Sequence, residues 1–481
     1  MRTGSLVIIF SLFFISFDGI GDDKKTEFEK WQQQRNLQFN AYVSDRDKAF
    51  ADFLKQKWIK KTVQQQQKSL SEPKLPSAPV APKKVPAPVS HKETPIVDLK
   101  PLSRTPHLEM VEPEQTIAVD SQNIFFLGHQ LTVPKVTIEP LNLEQLSSPV
   151  ISDSWLVMSK NENTELAKSI GQIAKKLNLD SWGKAYLTFE IIKQSSVQNQ
   201  NEQLLYTWFY LVKQNLNSRI AFDKNHLYLL LNIEQNLFGQ KYFTFNKMKY
   251  YFVNFSDKKV LPAKQVFTYQ KQHEQSRNLI QINLAKIPNL PNTNKVRRLS
   301  YKYAGKQQVV NVKYNRHYID YLNLYPQLDV AKYFHSELSP ITKESLLTPL
   351  REQLKGKSEQ QALNMLLRFV QKAFDYQTDQ QQFNGENFLV ATETLHYPYA
   401  DCEDRSVLFH YLVKQLLGNK MIAVLYQGHI ATAVKLNTSM EGDSYQVDGE
   451  KYLVADPTYI GADIGEVMPG YEKQTPKLIR L

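Results

Sequence analysis

The sequence predicts an α+β protein of several parts, closing in a helix-plus-sheet unit that carries chemistry. Three observations predict it. An order of helix followed by strands occurs twice, across residues 164–255 and again across 359–456; turn residues separate short β-prone runs; and the only cysteine, Cys402, opens the last long helix of the second block. Hydrophobic residues make up 42% of the chain, with 25 Tyr and 25 Phe, enough for real cores. A chain of 481 residues exceeds what one core usually serves, since domains average about 150 residues.

Taken in chain order, residues 1–21 have Arg2, an apolar run over 6–17 and then Asp22, Asp23, Lys24 and Lys25. This is the layout of a secretory signal, and the run is short for a bilayer span. No Ala-x-Ala cleavage site follows, so an uncleaved N-terminal anchor is the alternative, and the lack of a nearby cysteine excludes a lipidated one. The protein is expected to be exported, periplasmic or anchored facing the periplasm. Residues 22–69 are polar, lack Gly, and hold Phe28, Trp31, Leu37, Tyr42, Phe50, Leu54 and Trp58 partly at helical spacing, which predicts one long amphipathic helix able to lie on an envelope protein, a membrane or its own domain. Prolines crowd residues 70–115 among Lys, Ser, Ala and Val, a composition that favours extended chain and reads as a tether.

A β-rich stretch near 123–138 precedes three predicted helices, 164–177, 181–194 and 202–216, and strands at 219–222, 226–233, 242–245 and 249–255, which together give a unit over 116–260. A β-rich connector over 261–340 leads to the terminal unit, 341–481, with a helix near 359–374. The pentapeptide Tyr-Leu-Val-Lys-Gln stands unchanged at 210–214 and 411–415, each copy late in a helix and followed by a strand, Arg219 to Phe222 or Met421 to Val424. His226 then aligns with His429, Asn254 with Asp456 and Asn201 with Cys402. The expectation is an internal duplication whose first copy has lost its chemistry; differing strand orders would end it.

The terminal unit carries the chemistry. After Pro398 and Asp401, Val407, Leu408, Tyr411, Leu412 and Leu416 form an amphipathic helix that stops at Gly418, so Cys402 lies in a first turn where free N–H groups favour a thiolate and an oxyanion. His429 opens an apolar strand after Gly428, and Asp456 closes another before Pro457. If the two strands pair antiparallel, Asp456 meets one imidazole nitrogen and the other faces the sulfur. Asp448-Gly449 signals a hairpin that would send Asp456 to the wrong end of a simple meander, so residues 437–443 are expected to form a loop that lets the His429 and Asp456 strands meet.

Asp401-Cys402-Glu403-Asp404, a histidine opening a strand and Asp456-Pro457-Thr458 resemble the transglutaminase-like superfamily, in particular its exported bacterial cysteine proteases. Ala400 stands where that family usually has glycine, and Phe369 to Tyr376 resembles the helix before its nucleophile. The likeness covers about residues 346–464. It implies a papain-like α+β core with Cys402 as nucleophile, His429 as base and acid, and Asp456 as orienter. Both gaps in the triad are 27 residues.

Around the nucleophile, Asp401, Glu403 and Asp404 support the first turn but oppose a thiolate, and Arg405 offsets part of that. Asp404 reads as structural, His410 as structural, and His396 or Tyr397 as a second oxyanion donor or a packing residue. No phosphate loop, dinucleotide glycine pattern or Cys/His metal set is present, so no cofactor or metal is expected. The net charge of +11 is spread along the chain, which reads as solvated surface with no nucleic-acid partner. The activity expected is acyl transfer from a peptide or carboxamide carbonyl of a protein or peptide substrate, hydrolysis being favoured over cross-linking. The alternative is a silent envelope scaffold.

Overall fold

The computed structural model describes residues 22–65, 67, 75–82, 120–136, 138–160, 164–256 and 260–481. The expected signal segment and most of the proline-rich stretch lie outside these. The fold is mixed α+β, with a seven-stranded and a five-stranded sheet and two separate hairpins. Among the described residues no helix is long and apolar enough to cross a membrane.

The first helix spans Asp22–Leu54. Its C-terminal turns bury Phe50, Ala51 and Leu54 against the helix Ser148–Lys160, where the Phe50 ring meets Trp155 edge-on at 4.9 Å, while Phe28 and Trp31 stay exposed. The helix stops well short of residue 69, which corrects the sequence expectation. Trp58 donates its indole N–H to Leu54 O at 2.9 Å, and the β-branched run that follows becomes the strand Ile59–Thr62 and, past Val63, Gln64–Gln65. Ile, Thr and Val fit a pleated surface better than a helix.

Ile59–Thr62 pairs with Gln265–Thr268 at one edge of the seven-stranded sheet, and Gln64–Gln65 pairs with Lys241–Phe245 at the other. One short stretch of chain therefore joins both edges and closes the sheet on itself. Its interior holds Tyr228, Leu230, Phe243, Phe245, Tyr250, Phe252 and Val266. Leu229, Leu231 and Tyr251 face outward onto the helices Ser148–Lys160, Ser181–Lys193 and Gln200–Lys213. Gln265–Thr268, expected in the connector, thus belongs to this sheet.

The terminal sheet has the strands Met421–Tyr426, His429–Val434, Ser444–Val447, Glu450–Ala455 and Lys477–Arg480, in the spatial order third, fourth, second, first, fifth. The strands Ser218–Phe222, Leu227–Asn232, Lys241–Phe245, Met248–Val253 and Gln265–Thr268 stand in that same order in the closed sheet, and every pairing in both is antiparallel. Each set follows a long helix, Gln200–Lys213 or Cys402–Leu416. Each third-to-fourth connection is a two-residue turn with both φ positive, Asn246-Lys247 in one and Asp448-Gly449 in the other, as a tight hairpin requires.

Residue by residue the match is looser than the sequence implied. Ile220 faces the helices whereas Ile422 faces away from them, and a slip of one residue inverts a strand's faces. The Ile-Ala pairs are therefore out of register. His226 precedes its strand and lies half-exposed beside Asp223 at 3.6 Å, so it is no counterpart of His429.

Residues 437–443 form the expected loop. Glu359 accepts from the backbone N–H groups of Asn437 and Thr438, and the chain then crosses to the far edge, passing Gly442 so near Gly465 that a Cβ would sit 2.7 Å from its Cα. Glu450–Ala455 is left beside the histidine strand, Thr432 opposite Ala455.

Candidate active site

Antiparallel pairing sets the start of His429–Val434 beside the end of Glu450–Ala455, and there His429 Nε2 lies 2.8 Å from Asp456 Oδ2. Both residues are buried. Asp456 Oδ1 accepts from the N–H groups of Thr458 and Tyr459 at 2.9 and 3.3 Å, so the carboxylate is fixed on its own turn. With Nε2 engaged, Nδ1 is the nitrogen left for chemistry, and it is buried without a hydrogen-bond partner. The ring lies between Tyr426, stacked at 6.0 Å, and Tyr471 at 5.0 Å.

Cys402 is the first residue of its helix, and Ser406 one turn on ties that helix to the histidine strand through Ile430 O at 3.2 Å. The sulfur makes no hydrogen bond to His429; it donates to Glu403 Oε2 at 2.8 Å. Burial first, then the charges of Glu403 and Asp401, push the thiol well above its ordinary range, against the Ile430 amide. The expected thiolate is therefore not the resting form. Desolvation and acidic neighbours outweigh the positive helix end.

Asp404 accepts from Leu389 N at 2.9 Å and Asp401 N at 3.4 Å, the structural part expected of it. Arg405 donates to Ala400 O, Gln371 O and Phe374 O, locking the chain that leads to Cys402. His410 is buried, and desolvation holds its imidazole down at about 3, which keeps it neutral. His396 and Tyr397 bond to Arg316 and Asn323, so neither is engaged with the triad.

Three groups escaped the sequence reading. Gln371, buried on the helix Glu359–Lys372, donates to the carbonyls of Asp456, Tyr459 and Ala462 and accepts from Gly461 N, clamping the loop that carries Asp456. Tyr376 lies with its ring 5.6 Å from the Arg405 guanidinium, and burial raises its phenol. Asp379, Asp401 and Glu403 each bring one carboxylate oxygen within 4.8 Å of the others, the donor chemistry of a hard divalent cation. Desolvation raises all three, and both Asp401 oxygens lack a hydrogen-bond partner. Only Asp401 and Glu403 are close in sequence, which is why no motif revealed the set.

The site thus sets a buried imidazole, held by a carboxylate and with one nitrogen unpaired, beside a helix that opens with a thiol. No family model, curated protein or solved structure matches the chain.

Proposed function

We propose that the protein is an exported cysteine acyl-transfer enzyme of transglutaminase-like type, acting on peptide or carboxamide carbonyls. The observation that carries this is the buried Asp456–His429 pair at 2.8 Å with Nδ1 free, next to the helix that Cys402 opens. In the reaction Cys402 turns from Glu403 toward His429, whose Nδ1 takes the thiol proton as the sulfur attacks the carbonyl carbon. The first-turn N–H groups, which have no intrahelical partner, receive the oxyanion. The imidazolium then protonates the departing amine, and water, activated by the same nitrogen, releases the acid from the thioester. Water needs no built amine site, which favours hydrolysis over cross-linking.

The shared strand order supports an origin of the two units by duplication, the closed one without a thiol. The apolar stretch before residue 22 supports export, periplasmic or anchored facing the periplasm. The second reading, a silent scaffold, is favoured by the bond from the thiol to Glu403 and by the complete burial of Cys402.

A chromogenic acyl ester separates them. The enzyme gives a burst of leaving group and an acyl mass on the peptide containing Cys402, both absent in His429→Ala. A scaffold gives neither in the wild-type protein.

A further inference from the structure

The proline-rich stretch, expected to be a free tether, is bound where residues 75–82 are described. Tyr376 Oη donates to Leu75 O at 2.9 Å. Ala81 N donates to Ile460 O at 2.7 Å and Ile460 N donates to Pro79 O at 2.8 Å, so Val80 runs parallel to Ile460 as a one-bridge strand. Leu75 and Ala81 pack on the apolar cluster of Tyr426, Tyr459 and Tyr471, two of whose rings enclose His429. One end of the segment thus rests on Tyr376, whose ring lies 5.6 Å from the guanidinium of Arg405, three residues past Cys402, and the other on the turn that begins at Asp456.

These contacts have the form of peptide recognition. Backbone groups make every hydrogen bond of the segment that is described here, so its sequence matters little to them, and extended chain is the one shape that fits. Half-buried Leu75, Ala78, Pro79 and Ala81 face the protein while Pro76, Ser77, Val80 and Pro82 are exposed. The prolines preset an extended backbone and lower the ordering cost of binding.

Resting on the acyl-transfer reading, we infer that the surface between Tyr376 and Ile460 is the subsite for an extended, unfolded polypeptide substrate, and that residues 75–82 occupy it in cis as a competing strap. A covalent tether supplies an effective concentration on the order of millimolar, so a substrate segment must displace the strap to bind.

The test uses the full chain carrying Cys402→Ala, so that binding is read without turnover. In a second version residues 75–82 are replaced by alternating glycine and serine. A fluorescent peptide with the sequence of residues 75–82 is titrated into both and followed by anisotropy. The strap-replaced chain is expected to bind it at least about tenfold more tightly than the strapped chain, given that effective concentration. Tyr376→Phe in the strap-replaced chain is expected to weaken binding by about threefold to tenfold, the worth of one hydrogen bond. Ala81→Pro in the strapped chain, which removes the donor to Ile460 O and also restricts the backbone at residues 80 and 81, gives intermediate affinity and serves if the replacement perturbs folding. Equal binding to strapped and strap-loosened chains, or binding to none, overturns the inference. Tight binding with no acyl burst from the thiol-bearing protein would instead overturn the enzyme reading alone.

Discussion

The closed sheet and the terminal sheet share strand order, a preceding helix and a two-residue turn, yet of the two only the second sets a thiol beside a buried histidine–carboxylate pair. In the closed sheet, residues 59–65 join both edges and the interior fills with Tyr228, Phe243, Phe245, Tyr250 and Phe252. In the terminal sheet the corresponding face stays open at the edges, and its cover includes a strap bound through Tyr376 and Ile460. The helix starts differ too. Asn201 spends its side chain on Asn225 O and Leu227 N, filling a gap between helix and strand, whereas Cys402 brings a thiol to the same junction. The same strand order can thus be closed and filled with aromatic side chains or left open, and the difference lies in a few side chains and in what covers one face.

The largest effect that can break this comparison is on acylation. His429→Ala is expected to slow acyl-enzyme formation by about a hundredfold to ten-thousandfold, the range for losing a general base. His226→Ala, at the superficially matching place, leaves it unchanged; stopped-flow bursts with the ester measure both. Next comes stability. Phe243→Ala in the closed sheet should cost about 3–5 kcal/mol through the cavity it leaves, seen in urea unfolding, with little change in the burst. Gln371→Ala is expected to cost about 1–3 kcal/mol for the buried groups it leaves unpaired, and unlike Phe243→Ala it should also slow acylation, because it frees the Asp456 turn.

The smallest effect is a difference of sign with pH. Desolvation raises Asp47, but hydrogen bonds and charge from His273 and Lys213 outweigh it and hold the carboxyl below its ordinary value. The stability it gives the first helix and closed sheet is present above the ordinary carboxylate range and lost as pH falls. Burial pushes Glu393 up to about 8 from 4.5. Its folded form holds a proton that the unfolded chain releases, so the terminal unit loses stability as pH rises through that window. Hydrogen exchange corrected for intrinsic rates should show the closed sheet loosening as pH falls below the carboxylate range and the terminal unit loosening as pH rises toward about 8, and Glu393→Gln should reduce the second effect.

Much of the site was legible because local chemistry wrote it. Asp448-Gly449 demands its turn, Pro457 ends its strand, and the spacing of Val407, Leu408 and Tyr411 declares the helix that Cys402 opens. What stayed hidden depends on distant partners. The first helix ends at Leu54 because Ile59 and Val63 are recruited by strands about 200 residues away in sequence, a tertiary demand that overrides helical spacing. The register of Ile220 against Ile422 is set by which face meets the helices. The thiol's protonation follows first from burial, which no motif encodes, and only then from Glu403 and Asp401, which the sequence sets beside it. Gln371 and residues 75–82 act through hydrogen bonds to a loop whose position only the fold supplies.

The central claim is that Cys402, His429 and Asp456 act as one unit, and the most direct measurement is the rate at which iodoacetamide alkylates Cys402 at about pH 6, well below the free-thiol pKa of about 8.5. The account predicts that the wild-type protein reacts at least about tenfold faster than His429→Ala, with Asp456→Asn between them, because the imidazole takes the thiol proton. Equal, slow rates in all three would contradict it.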